Sequence, residues 1–372
     1  MAVCILALAM ADFVLKDAFD PAFVAKLGQA CKTLQSEFNE TAFFAAALPE
    51  NWTDFSLKAR MRHLSQQLGQ HLKGEYPEQL QVVLALAPQF SSLAGMLFPD
   101  FVEVHGQADP DRSIPALAQL TQHFSSEFAV RPFLQQHPKR MLQQHLSWAE
   151  HPNEHVRRLA SEGIRPRLPW GQDVAWVKKD PAKVLPILEK LRNDPSEYVR
   201  RSVANNLNDI SKSHPELVLE LAQRWVGRAA TTDALLKHAL RGLLKKGHPQ
   251  ALQLFGFVGE VAFELSPVQL SRQSLCIGQK LSFTFSLQHL GEKPAKYRLE
   301  YLLHYVKMNG SLSPKVFQIA EKTLQPNEKW VVERQHSFEE RTTRKHQPGL
   351  HQWQLQVNGQ LQALHPIELL AP

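Results

Sequence analysis

The chain has 372 residues, 44% hydrophobic and 21% charged, with 42 Lys and Arg against 36 Asp and Glu for a net charge of +6. This is the composition of a globular protein with a substantial core, long enough for two domains. Three scattered cysteines (Cys4, Cys31, Cys276) exclude a disulfide framework and a thiolate metal cluster, and no apolar run reaches the roughly 18 residues of a membrane helix.

The apolar start, Met1 to Ala11, has no Lys or Arg ahead of it, so a secretory leader is not expected. Residues 1–10 are read as a dispensable extension of a domain that begins near Met10, in a reducing, cytoplasmic compartment. From residue 12 to about 260 apolar residues recur at helical spacing, as in Phe19, Phe23-Val24, Leu27 and in Leu57, Met61, Leu64, Leu68. Short connectors at Asp109-Pro110, His137-Pro138, His151-Pro152, Asp194-Pro195 and His214-Pro215 break this region. Proline after Asp or His is read there as the first residue of a helix.

One segment occurs twice. His151-Pro-Asn-Glu-His-Val-Arg157-Arg158-Leu-Ala-Ser-Glu162 is echoed 43 residues later by Asp194-Pro-Ser-Glu-Tyr-Val-Arg200-Arg201-Ser-Val-Ala-Asn205. HEAT-type helical repeats have periods of about 40–47 residues, so residues 1–259 are expected to form a HEAT-like α-helical solenoid. Residues 131–248 hold 21 Lys and Arg against 12 Asp and Glu, which suggests a surface for a polyanion, the alternative being solvated helix faces. On a helical wheel Val199, Val203, Leu207 and Ile210 make the buried stripe, with Arg201, Asn205, Asn208 and Asp209 opposite. In the first repeat Val156, Ala160 and Ile164 are buried, with Arg158, Glu162 and Arg165 opposite. A pair such as Arg158–Glu162 contributes only about 0.2–0.5 kcal/mol on a helix surface, a weak reason for the pattern. The following Arg165-Pro-Arg167-Leu-Pro-Trp170-Gly is stiffened by two prolines; Trp170 either fills core or presents a ring beside two arginines.

Near residue 260 the period changes to that of strands. Leu281-Ser-Phe283-Thr-Phe285-Ser-Leu287 alternates strictly, and 297–306, 315–319, 329–333 and 351–357 follow, parted by turns such as Asn309-Gly310, Pro326-Asn327 and Asn358-Gly359. Residues 260–372 are therefore expected to form an immunoglobulin-like β-sandwich, without a Cys…Trp…Cys pattern. The fold class is multidomain, α then β.

The string Arg157-Arg158-Leu-Ala-Ser-Glu162-Gly-Ile-Arg165-Pro-Arg167-Leu-Pro-Trp170 resembles the signature of the AlkC-type DNA alkylation repair glycosylases. So do Val199-Arg200-Arg201-Ser-Val-Ala-Asn205-Asn-Leu-Asn208-Asp209-Ile-Ser211 and, upstream, Leu57-Lys-Ala-Arg60-Met-Arg62-His63-Leu64. Val306-Lys307-Met-Asn-Gly310, Ser313-Pro-Lys315-Val-Phe317 and Thr342-Thr-Arg344-Lys345-His-Gln-Pro348-Gly349 are similar as well, so the resemblance spans nearly the whole chain from Met10. The apolar extension and Ile164 are departures that leave the chemistry intact. The resemblance implies a HEAT-like solenoid with an immunoglobulin-like domain, excising 3-methyladenine and 3-methylcytosine from DNA with no metal or organic cofactor. It implies Glu162 and Asp209 as the acids at the lesion, Trp170 as an aromatic contact and Arg158 as support. It also implies DNA bending that exposes the lesion without full base flipping.

Chemistry suits this assignment. Methylation at N3 makes the base cationic, so it leaves neutral while charge develops on an oxocarbenium-like sugar, which a carboxylate stabilises as it orients water. Phosphate neutralisation is expected of Arg158, Arg165, Arg167, Arg200 and Arg201, with Asn205 and Asn208 beside them, and of Lys307, Lys315, Arg344 and Lys345 in the second domain. The expected partner is double-stranded DNA carrying alkylated bases, bound by a monomer that touches no membrane. The competing reading is a non-enzymatic HEAT scaffold, for which paired carboxylates beside arginines have no use. His151-Pro-Asn-Glu-His155 lacks the zinc-binding His-Glu-x-x-His order, and no Gly-rich phosphate loop occurs.

Overall fold

The computed structural model describes residues 14–257, 261–340 and 345–371. The extension 1–10, the 259/260 boundary and Arg344 lie outside the described residues. The chain groups into two compact units. One runs to His214 and includes Gly227–Ala239; the other comprises Pro215–Val226 and everything from Leu240 onward. Among the described residues no helix is long and apolar enough to cross a membrane.

The first unit is a succession of short helices. Helix Glu154–Glu162 packs on helix Glu197–Ser211, which packs in turn on helix Ala230–Ala239. Prolines open the helices Pro110–Leu120 and Pro138–Trp148, as their fixed φ favours. At the two repeats the expected proline start is wrong by two residues. The helices begin at Glu154 and Glu197, because the Asn153 side chain accepts the His155 amide at 2.8 Å and Asp194 accepts the Ser196 amide at 2.9 Å. Asn153 thus takes an orphan amide of the first turn, Asp194 holds the amide of the residue just before its helix, and the prolines stay outside.

The apolar stripe is as expected: Val156, Ala160, Ile164, Val199, Val203, Leu207 and Ile210 are all fully buried. The polar face is not. Glu162 (5% exposed), Arg165 (8%), Asn208 (6%) and Asp209 (2%) are buried too. The wheel treats one helix in isolation, whereas Glu197–Ser211 is flanked on one side by the first repeat helix and on the other by Ala230–Ala239.

In the second unit the helices Pro215–Trp225, Arg241–Lys245 and Pro249–Leu254 precede nine strands among the described residues. These are β1 Phe263–Leu265, β2 Gln269–Leu270, β3 Ser274–Cys276, β4 Lys280–His289, β5 Ala295–Val306, β6 Leu312–Leu324, β7 Lys329–Ser337, β8 Gly349–Val357 and β9 Gln360–Leu370. One sheet pairs β4 with β1, β2 and β7; the other runs β3-β9-β8-β5-β6. All ladders are antiparallel except β3–β9. Phe283, Phe285 and Leu287 from the first sheet meet Tyr297, Leu299, Leu303, Trp353 and Leu355 from the second in one core. Strand β9 was not expected, because polar residues and Pro366 mask its alternation. Asn358 (φ 45°) and Gly359 (φ 84°) form the β8–β9 turn, where a Cβ on Gly359 would come within 2.9 Å of the Gly247 Cα. This close approach requires glycine at both positions.

Candidate active site

Helix Glu154–Glu162 stops abruptly, and side chains from three other segments cap its end. His145 is fully buried, which pushes its pKa down to about 4, and its neutral Nδ1–H donates to the Ala160 carbonyl at 2.8 Å. Asn206 Nδ2 donates to the Ser161 carbonyl at 2.8 Å, and Arg131 Nη1 to the Gly163 carbonyl at 2.9 Å. Side chains thereby satisfy these carbonyls at the helix end. The last helical residue is Glu162, a carboxylate at the negative end of the helix dipole, an unfavourable place unless cations attend it.

Two arginines do so. Arg165 Nη1 lies 2.6 Å from Glu162 Oε1, and its Nε and Nη2 lie 2.8 Å from Asp209 Oδ2. Arg158 lies 3.4 Å from Glu162 Oε1 and pairs at 2.5 Å with Glu127 Oε2. Ser202 Oγ donates to Glu162 Oε2 at 2.5 Å, and Lys212 Nζ reaches Asp209 Oδ1 at 3.1 Å. Charges therefore alternate along one chain: Glu127, Arg158, Glu162, Arg165, Asp209, Lys212. Burial alone would raise the Glu162 pKa, but Arg158, Arg165 and the Ser202 hydroxyl outweigh it and hold it below the usual carboxylate range. The same carboxylates keep both arginines firmly protonated.

This arrangement corrects the expectation that Arg165 and Arg158 neutralise phosphates. Arg165 is 8% exposed and committed to two carboxylates, and Arg158 is held by Glu127, Glu162 and the face of Tyr198, 5.2 Å away. Arg200 is half-buried and structural: its Nη1 donates to the Asp194 and Pro195 carbonyls, as Arg157 does one repeat earlier to His151 and Pro152. Arg201 and Arg167 are exposed, Arg201 with an ion pair to Glu197 at 2.6 Å. Asn205 is half-buried against His238, and Asn208 is buried. Lys307, Lys315 and Lys345 are exposed in the second unit.

Trp170 is 66% exposed, which rules out the core-filling reading. Its φ of 62° lies in the left-handed region, which a bulky residue rarely adopts without compensation. The compensation is local. Lys58 Nζ, lying over the Phe128 ring at 4.4 Å, donates to the Trp170 carbonyl at 2.5 Å. Arg131, 1% exposed, donates from one guanidinium to the carbonyls of Gly163, Arg165 and Gln172, clamping both ends of the loop. Gln172 in turn donates to Glu103 at 3.2 Å. Sequence reasoning missed Glu127, Arg131 and Lys212 altogether and gave Lys58 and Ser202 no role, although both lie in quoted motifs. Among the described residues no group of three or more His, Cys, Asp or Glu could hold a metal ion.

Residues 121–243 match the family described as "DNA alkylation repair enzyme", and residues 264–371 match "Uncharacterised protein YhaZ, C-terminal Ig-like domain". The chain is 44% identical over 352 residues to the uncharacterized protein YhaZ of Bacillus subtilis (strain 168), spanning 95% of this chain and 98% of the relative. It is also similar to the Pseudomonas fluorescens alkylpurine DNA glycosylase AlkC, solved bound to DNA containing an abasic site analog. That match has 34% identity and a TM-score of 0.93, over 96% of this chain and 100% of the other.

Proposed function

The chain belongs to the AlkC family of DNA alkylation repair enzymes and is a DNA glycosylase, and from that premise we propose that it releases 3-methyladenine and 3-methylcytosine from duplex DNA. The observation that carries the site assignment is Arg165, whose one guanidinium bridges the buried carboxylates of Glu162 and Asp209.

An N3-methylated base is already cationic and leaves as a neutral molecule, so the enzyme's task is at the sugar. Asp209 stabilises the oxocarbenium-like C1′ and orients the attacking water. Asp209 accepts from two nitrogens of Arg165 and from Lys212, whereas Glu162 accepts from Arg165 and Ser202 and faces Arg158. A carboxylate has about four lone-pair sites, so the three donors on Asp209 leave room for a water. Glu162 fixes Arg165 and thereby the direction of Asp209. Fixed charges of this kind do not have to reorganise as sugar charge develops. Trp170 presents its ring to the lesion nucleotide, and Arg167 and Arg201 meet phosphates. The protein acts as a monomer, with residues 1–259 as the glycosylase domain and 260–372 as a second DNA-binding module.

The test is base release from methylated duplex DNA, resolved by chromatography, with wild type and Asp209→Asn. Release of both bases by wild type, lost in the variant, is expected. Binding of the same DNA with no base released would favour a scaffold.

A further inference from the structure

An open cleft of about 280 Å³ adjoins the Trp170 loop, and the chemistry at Glu162 and Asp209 makes no use of it. Helix Leu57–His71 lines it with Ala59, Met61 and Arg62, and helix Leu97–His105 with Asp100 and Glu103. Phe128 and Gln172 also line it, and Lys58, which covers the Phe128 ring, ties it to the Trp170 carbonyl.

Its polar wall is short of donors. Asp100, 3% exposed, takes both of its hydrogen bonds from Arg62 on Oδ1, at 2.8 and 3.2 Å. Glu103, equally buried, takes Arg62 at 2.6 Å and Gln172 at 3.2 Å, both on Oε1. Ser65 lies near Asp100 but donates to the Leu97 carbonyl, and Asp100 Oδ2 is buried without a partner. Glu103 Oε2 accepts from no described residue either. One guanidinium thus serves two buried carboxylates, and burial pushes the pKa of both up against its opposing effect.

Such a wall selects among ligands. A phosphate would meet two acids, and the cations of the cleft are engaged: Arg62 by those acids, Lys58 by the Trp170 carbonyl and the Phe128 ring. A flat heterocycle with an amino group would supply the missing donor, and Met61 and Phe128 offer it apolar surface. The volume lies at the small end for ligand pockets, the size class of a single heterocycle.

We propose that this cleft is a holding site for the excised base: the exocyclic amino group of 3-methyladenine or 3-methylcytosine donates to Glu103, beside Asp100, once the glycosidic bond is broken. In naming the base the inference rests on the glycosylase reading. A base held there cannot return to the gap it has left in the duplex, so product release becomes a step separate from bond cleavage.

Calorimetric titration of the full chain with free 3-methyladenine tests this without DNA or turnover. Wild type should bind it about tenfold or more tightly than 3-methylhypoxanthine, which has a carbonyl in place of the amino group. Glu103→Gln should reverse that preference, because Arg62 and Gln172 hold the amide oxygen and turn its NH2 into the cleft. Ala59→Trp, a change at an exposed lining position, should keep the wild-type melting temperature and abolish binding of the free base. Four results would each overturn the proposal: no binding of 3-methyladenine by wild type, equal binding of the two bases, an unchanged preference in Glu103→Gln, or full binding by Ala59→Trp. Base release from methylated DNA, measured separately, reports on the glycosylase reading, so either can fail without the other.

Discussion

Arg165 and Asp209 stand 44 residues apart in sequence and meet through two guanidinium nitrogens at 2.8 Å from one carboxylate oxygen. Arg165 follows the first repeat helix and Asp209 sits in the last turns of the second. One repeat therefore aims the acid of the next, and the 43-residue periodicity of the chain brings the two side chains into contact.

The carboxylates should be separable by substitution. Asp209→Asn is expected to cut base release about 10²–10³-fold, the scale of losing one preorganised charge. Glu162→Gln should lose less, and DNA affinity should change little in either. Equal release by Asp209→Asn and wild type would remove Asp209 from the chemistry.

Acid should act late. The folded pKa of Glu162 is held below its ordinary 4.5 by Arg158, Arg165 and Ser202 against the opposing effect of burial. Its stabilising contribution is thus complete above the unfolded value and lost as pH falls through the folded one. Thermal unfolding followed from pH 8 downward should show no loss attributable to Glu162 until about pH 4.5 or below. A transition that disappears in Glu162→Gln but is centred above pH 5 would contradict this.

Trp170 is constrained in backbone and free in side chain. Trp170→Ala should leave the melting temperature nearly unchanged and slow base release about tenfold, the scale of one lost base–aromatic contact. Trp170→Gly, which relieves the left-handed strain, should be the more stable of the two by about 1 kcal/mol while equally slow. Calorimetry beside a release assay decides it.

Arg131 supports that loop from a buried position. Lysine cannot reproduce a fork that serves three carbonyls. Arg131→Lys is expected to destabilise the fold by about 2–3 kcal/mol and to open the Gly163–Gln172 loop to protease. Unchanged cleavage together with unchanged stability would show that the clamp is dispensable.

Adjacent arginines should behave oppositely. Arg200→Ala removes the donor to two loop carbonyls and should cost about 1–2 kcal/mol of stability. Arg201→Ala should leave stability alone and reduce the salt slope of DNA binding by about one. Titrations at several salt concentrations separate the two effects.

Much of this was legible in the residues. The repeated Pro-x-Glu-x-Val-Arg-Arg segment and the alternation in 281–287 follow from local periodicity, 3.6 for helices and 2 for strands, which one segment displays unaided. The buried stripes through Val156 and Val199 were visible for the same reason. The fate of the polar face was not. Whether Glu162 and Asp209 are buried, and whether Asp209 meets an arginine, depends on which helices flank them, and that is a property of packing between segments 40 or more residues apart. Glu127, Arg131 and Lys58 join the site only because the solenoid brings their helices and loops beside Arg158 and the Trp170 loop; no spacing links them to it. The residue types of the site were set by the sequence itself. Which charges pair, and so which arginines stay exposed, was decided by the tertiary structure, because charge pairing is a matter of distance in space.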